Sequence, residues 1–132
     1  MLQQIDHIGI VVRSAAQVIE TLSGAFGFQV SESVASPQGD FNTTIISLGE
    51  TKLELIEPVG SMGSIARFLD QKGGGMHHVS FRVDDMDKEL KSLEGKGVRL
   101  AQSKPAAIGS SLVAFVHPSS TAGILVELIQ RS

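Results

Sequence analysis

At 132 residues, 14.0 kDa and a net charge of −3, the chain is long enough for one domain or two small modules sharing a core. It lacks the clustered Lys and Arg that nucleic acid requires, and its six Phe are the only aromatics, so base-stacking platforms are poorly supplied. With no cysteine, thiolate metal sites, disulfides and thiol nucleophiles are excluded, and any metal must be held by nitrogen and oxygen.

No apolar run approaches the ~20 residues of a membrane helix, and the N-terminus enters a strand-like segment without a signal-like region, so a soluble, cytoplasmic protein is expected. Ile5 to Val12 is β-branched or apolar and predicts a strand. Ser14 then caps a helix from Ala15 to Ala25, with Val18, Ile19 and Leu22 at helical spacing, which stops in the Gly24 to Gly27 region. Phe28 to Val34 predicts a strand, Ser36 to Asp40 a turn, and Phe41 to Leu48 with Lys52 to Glu57 a hairpin around Gly49-Glu50. The first half is therefore βαβββ.

A Gly-containing loop from Val59 to Gly63 leads into a short helix, Ser64 to Gln71, and then into Lys72-Gly73-Gly74-Gly75. The three glycines read as a linker and not as a phosphate loop, because the strand before and the helix after such a loop are missing. The second half repeats the order of the first. It has a strand from Met76 to Val83, Asp84 and Asp85 as caps, and a helix from Met86 to Lys96 with Leu90 and Leu93 inward. Strands at Arg99 to Gln102, Leu112 to His117 and Gly123 to Gln130 complete it. The expected fold is α+β: βαβββ modules at 1–58 and 76–132, joined by a linker with a short helix at 59–75, in one domain with a curved mixed β-sheet and flanking helices.

The two halves also repeat in detail. Ile5-Asp6-His7-Ile8-Gly9-Ile10 is echoed by Met76-His77-His78-Val79-Ser80-Phe81, and Lys52-Leu53-Glu54-Leu55-Ile56 by Leu125-Val126-Glu127-Leu128-Ile129. Side chains alternate across a strand. If Val79, Phe81 and Val83 pack under a helix, His78, Ser80 and Arg82 take the other face. If Ile8, Ile10 and Val12 pack, His7 lies opposite beside Gly9, which leaves room. Leu53 and Leu55 oppose Glu54, and Val126 and Leu128 oppose Glu127, so all four polar groups fall on equivalent faces.

A lone strand histidine is more often a hydrogen-bonded core or surface group than a ligand, and a lone strand glutamate is usually solvated. Four such residues in repeat-related positions favour a metal site, because two carboxylates among apolar neighbours are costly without a counter-charge. His77 should point to the helix side and be structural. Two His and two Glu suit Zn, Ni, Co or Mn without choosing among them.

These residues resemble the vicinal oxygen chelate superfamily, the glyoxalase, bleomycin resistance and dioxygenase group, whose paired βαβββ modules form a cup around a metal. Within it they look closest to the methylmalonyl-CoA epimerases. The similar stretches include His7-Ile8-Gly9-Ile10, Leu48 to Leu55, Ile65 to Leu69, Met76 to Val79, Lys96 to Leu100, Phe115-Val116-His117-Pro118 and Ile124 to Leu128. The resemblance implies His7, His78 and Glu127 as metal ligands and Glu54 as the fourth, where some members have glutamine and the glyoxalase I type has glutamate. It implies removal of a proton α to a thioester and its return on the opposite face through a metal-stabilised enolate. Carboxylates would be the bases. Glu127 is the first candidate and would have to be loosely held by the metal, and Glu54 is the second. A homodimer and a small acyl-CoA substrate, with no nucleic acid or membrane partner, are further expectations.

Three departures stand beside the resemblance. Around the place where some epimerases carry a second catalytic glutamate, the residues are Asp40, Phe41, Asn42 and Thr43; Asn42 cannot accept a proton, so either Asp40 or a water serves, or the chemistry is different, with Glu54 the remaining candidate. Ser111 and Ser119 stand where members commonly carry basic residues for coenzyme A, and Lys104 is the nearest basic residue in sequence. These features and Glu54 favour an alternative, a lyase or isomerase of the lactoylglutathione lyase type. A non-catalytic small-molecule-binding protein of the same fold is a third reading, but it needs no metal.

Overall fold

A computed structural model of the chain describes residues 2–132. In chain order the elements are β1 (Leu2–Val11), α1 (Ala15–Gly24), β2 (Gln29–Ala35), β3 (Phe41–Leu48), β4 (Thr51–Pro58) and α2 (Ser64–Lys72). Then follow β5 (Gly75–Val83), α3 (Met86–Gly95), β6 (Ala106–Ile108), β7 (Ser111–Val116), a 3-10 turn (Pro118–Ser120) and β8 (Val126–Gln130). The chain divides into two compact units: His7–His77, and His78–Ser132 with residues 2–6. β1 thus contributes its first residues to one unit and its remainder to the other.

In the N-terminal unit the strand order is β2-β3-β4-β1, with β1 parallel to β4 and the other pairs antiparallel. Alternation sets two packed faces. Ile10, Val12, Ile46, Leu53 and Leu55 pack against Val18, Ile19 and Leu22 of α1. Val11 and Ile56 point the other way and pack with Ile65, Phe68 and Leu69 of α2. Helix α2 ends where Gly73 adopts the left-handed conformation, and the next residue explains the run of glycines. Gly74 has φ +97°, and a Cβ there would lie 2.9 Å from the Val11 carbonyl oxygen, so only glycine lets the chain pass β1 at this distance.

In the C-terminal unit the order is β5-β8-β7-β6, with β5 parallel to β8 and the other pairs antiparallel. Phe81, Val83, Ala114 and Leu128 pack under Met86, Leu90 and Leu93 of α3. The α+β class and the two βαβββ modules are therefore as the sequence predicts. Both long helices begin in the same way. For α1, Ser14 Oγ accepts from the Gln17 N–H at 3.3 Å, and Glu57 Oε1 of β4 accepts from the Ala15 N–H at 2.6 Å. For α3, Asp85 Oδ1 accepts from the Lys88 N–H at 3.1 Å, and Gln130 Oε1 of β8 accepts from the Met86 N–H at 2.6 Å. Each helix end thus has two otherwise orphaned amides satisfied, one by the local cap and one by the last strand of its own module.

Two expectations need correction. The strand expected at Arg99 to Gln102 is only an isolated bridge between Leu100 and Val116; β6 forms later, at Ala106–Ile108. The polar run Gln102-Ser103-Lys104 leaves the sheet, Pro105 has no N–H to give a ladder, and the turn at Gly109 (φ +58°) starts a new hairpin with β7. The last strand begins at Val126 and not at Gly123, because Ala122 and Gly123 both have positive φ in the turn after Pro118. Among the described residues no helix is long and apolar enough to cross a membrane.

Candidate functional site

The N-terminal unit places His7 and Glu54 together. Parallel pairing sets Gly9 opposite Glu54, and with Leu53 and Leu55 committed to α1, the Glu54 side chain takes the opposite face. His7 Nδ1 and Glu54 Oε2 are 3.3 Å apart, with the imidazole buried and the carboxylate partly exposed. The C-terminal unit builds the repeat-related pair differently. Ser80 lies opposite Glu127 in the β5–β8 register, and Phe115 lies opposite it on β7. The buried Ser80 hydroxyl donates to Glu127 Oε1 at 2.7 Å, while Glu127 Oε2 is 4.0 Å from His78 Nε2. The Phe115 ring meets the His78 imidazole edge to face, with centroids 6.1 Å apart.

Each module therefore supplies one buried imidazole and one carboxylate on the strand face that its α1-type helix leaves uncovered. His7, His78 and Glu127 are all buried, and each offers a nitrogen or oxygen donor of the kind a divalent metal ion takes. Among the described residues no buried side-chain N or O atom lacks a hydrogen-bond partner, so the fit to a metal ion rests on the chemistry of these donors and not on an orphaned atom.

The family model that describes the Glyoxalase/Bleomycin resistance protein/Dioxygenase superfamily matches residues 6–115, which spans both imidazoles and Glu54. The chain belongs to this superfamily. Its relatives include the mitochondrial methylmalonyl-CoA epimerase of Bos taurus, 36% identical over 98% of this chain and 75% of that protein. The ethylmalonyl-CoA/methylmalonyl-CoA epimerase of Cereibacter sphaeroides is 31% identical over 98% of this chain and 99% of its own length. Among solved structures, a Streptomyces coelicolor methylmalonyl-CoA epimerase variant in complex with 2-nitronate-propionyl-CoA superposes with a TM-score of 0.89 at 27% identity, covering 100% of this chain and 96% of that one.

Other residues that the sequence brought forward have definite places in this superfamily member. His77 meets Phe68 of α2 edge to face, with centroids 4.9 Å apart, so its role is packing, as expected. Asn42 shares a strand face with Thr44 and Ile46, and Ile46 packs against α1. Asn42 lines a cavity of about 350 Å³ there with Ser33, Thr44 and Glu57, on the face opposite to Glu54. Asp40 closes the turn after β2: its Oδ1 accepts from Ser36 Oγ at 2.7 Å, and its other oxygen sits over Gly63. Ser119 is engaged by the His117 ring, with its Oγ 2.8 Å from Nδ1.

Sequence reasoning missed one charged cluster. The Asp6 carboxylate is fully buried and accepts from Arg82, with Nε at 3.0 Å and Nη2 at 2.7 Å, and from Arg131, with Nε at 3.2 Å and Nη2 at 2.7 Å. An acidic residue inside an otherwise apolar strand was the only local signal. Its partners are 76 and 125 residues away, so no spacing rule points to them.

Proposed function

We infer that this chain is a metal-dependent epimerase of a 2-methyl-3-oxoacyl thioester, of the methylmalonyl-CoA epimerase kind. Near full-length likeness to the epimerases carries the reading, and the buried His and Glu donors in both modules support it. His7, Glu54, His78 and Glu127 would hold a divalent ion, and that ion would supply Lewis-acid stabilisation of the enolate oxygen. Glu127 takes the α-proton at Oε2; the C–H bond breaks and its electron pair moves into the thioester carbonyl. Glu54 returns a proton to the opposite face of the same carbon, which inverts it. One acid-base group thus comes from each module, which matches a reaction whose two halves are mirror images. Asp40, bound up in its turn, and Asn42, on the opposite face, take no part.

Exchange of the α-proton of methylmalonyl-CoA in deuterated water tests this, with the metal-stripped protein and after cobalt(II) or zinc(II) is added back. Exchange should appear on metal addition, and its absence would remove the epimerase reading. Glu54 against His7 favours a second reading, a lactoylglutathione lyase-type reaction. Turnover of methylglyoxal with a thiol, without exchange on the thioester, would establish that alternative.

A further inference from the structure

We propose that Ser80 is a positioning residue for Glu127: its hydroxyl holds Oε1, so that the carboxylate is presented through Oε2 alone. The proposal rests on the metal-site reading above. A carboxylate meant to meet a metal ion through one oxygen needs its other oxygen held elsewhere, because a carboxylate free to rotate can also chelate through both. The terminal carboxylate torsion is broad and two-fold, so backbone register alone does not choose which oxygen faces which way. Ser80 makes that choice. It is fully buried, sits directly opposite Glu127 in the parallel ladder, and donates to Oε1 at 2.7 Å, which leaves Oε2 on the His78 side at 4.0 Å from Nε2.

The repeat supplies an internal control. The residue two positions after His7 is Gly9, opposite Glu54 in the equivalent ladder, and it has no side chain with which to donate. Glu54 instead approaches the His7 ring, at 3.3 Å from Nδ1. The two glutamates are thus held by different groups at the same repeat position. This assigns presentation through a single oxygen to Glu127 in particular.

The test is cobalt(II) affinity of the metal-stripped chain, followed by the visible absorption of the bound ion, for the wild type, Ser80→Ala, Ser80→Gly and Ser80→Thr. Thermal melts of each metal-free protein separate folding from positioning. Removing an outer-shell partner of a metal ligand typically costs ~10-fold or more in affinity. Ser80→Ala and Ser80→Gly should each show that loss without a matching fall in melting temperature, and Ser80→Thr, which keeps a hydroxyl, should recover most of it. Should the added methyl unfold the chain, Ser80→Cys takes its place, with an intermediate loss expected from the weaker thiol donor. Wild-type affinity in Ser80→Ala, or a folded hydroxyl or thiol variant no better than alanine, would overturn the proposal while leaving the metal site standing. A wild-type chain that takes up no cobalt would end the metal reading and the Ser80 proposal together.

Discussion

The two modules use the same devices with different chemistry. Helix α1 starts on a serine and a borrowed glutamate, whereas α3 starts on an aspartate and a borrowed glutamine. One imidazole touches its carboxylate directly, while in the other module a serine stands beside the carboxylate and the imidazole keeps its distance. The N-terminal unit is covered by helices on both faces of its strands, and the C-terminal unit instead contains a buried carboxylate between two arginines. The two modules thus share backbone positions and differ in the side chains placed on them.

The largest effects should come from removing the proposed metal ligands of either module. His7→Ala and His78→Ala should each abolish stoichiometric metal uptake in equilibrium dialysis; uptake surviving in either single variant would mean that one module suffices. Loss of a positioned base typically costs about 10²–10⁴-fold in rate, so Glu127→Gln should lower α-proton exchange by that order. If Glu54→Gln slows α-proton exchange equally from the R and from the S epimer, the assignment of one base to each module fails.

Smaller effects sharpen the contrast between the two supports. Asp6→Asn leaves two guanidinium groups around a neutral amide, and breaking a buried ion pair costs about 3 kcal/mol or more, which urea denaturation would read. A loss below that of a surface substitution would show that the partly exposed arginines simply return to water. Gly74→Ala forces both a left-handed backbone and a contact with a fixed carbonyl, at a cost of about 1–3 kcal/mol. Gly63→Ala carries the same left-handed strain but should cost less, because its Cβ meets a side-chain oxygen of Asp40 and not a backbone carbonyl. The smallest change is expected at the caps: Ser14→Ala and Asp85→Ala should each lose about 1 kcal/mol, equal within error if the two helix starts are true equivalents.

Much of this was readable from residue order. The caps at Ser14 and Asp85, the β3–β4 hairpin and the packed faces of β1, β4, β5 and β8 follow from periods of two and 3.6, which act over a few residues. The faces of His7, Glu54, His78 and Glu127 follow from the same alternation. Where the expectation failed, local signals competed: Leu100 looks like part of a strand, but Pro105 and the polar run before it end the pairing after a single bridge. The strand face of Asn42 was likewise not readable from its neighbours. Counting along β3 from the turn does not say which parity faces Glu54, whereas packing of Ile46 against α1 settles it.

The sequence by itself determined the two-module α+β architecture and the four repeat-related polar residues, because strand alternation and helix caps are properties of neighbouring residues. Only the tertiary structure decided that Ser80 holds Glu127 across 47 residues, and that Asp6 is held by Arg82 and Arg131 across 76 and 125. Those contacts depend on the register in which distant strands pair, and that register is set by the packing of whole modules.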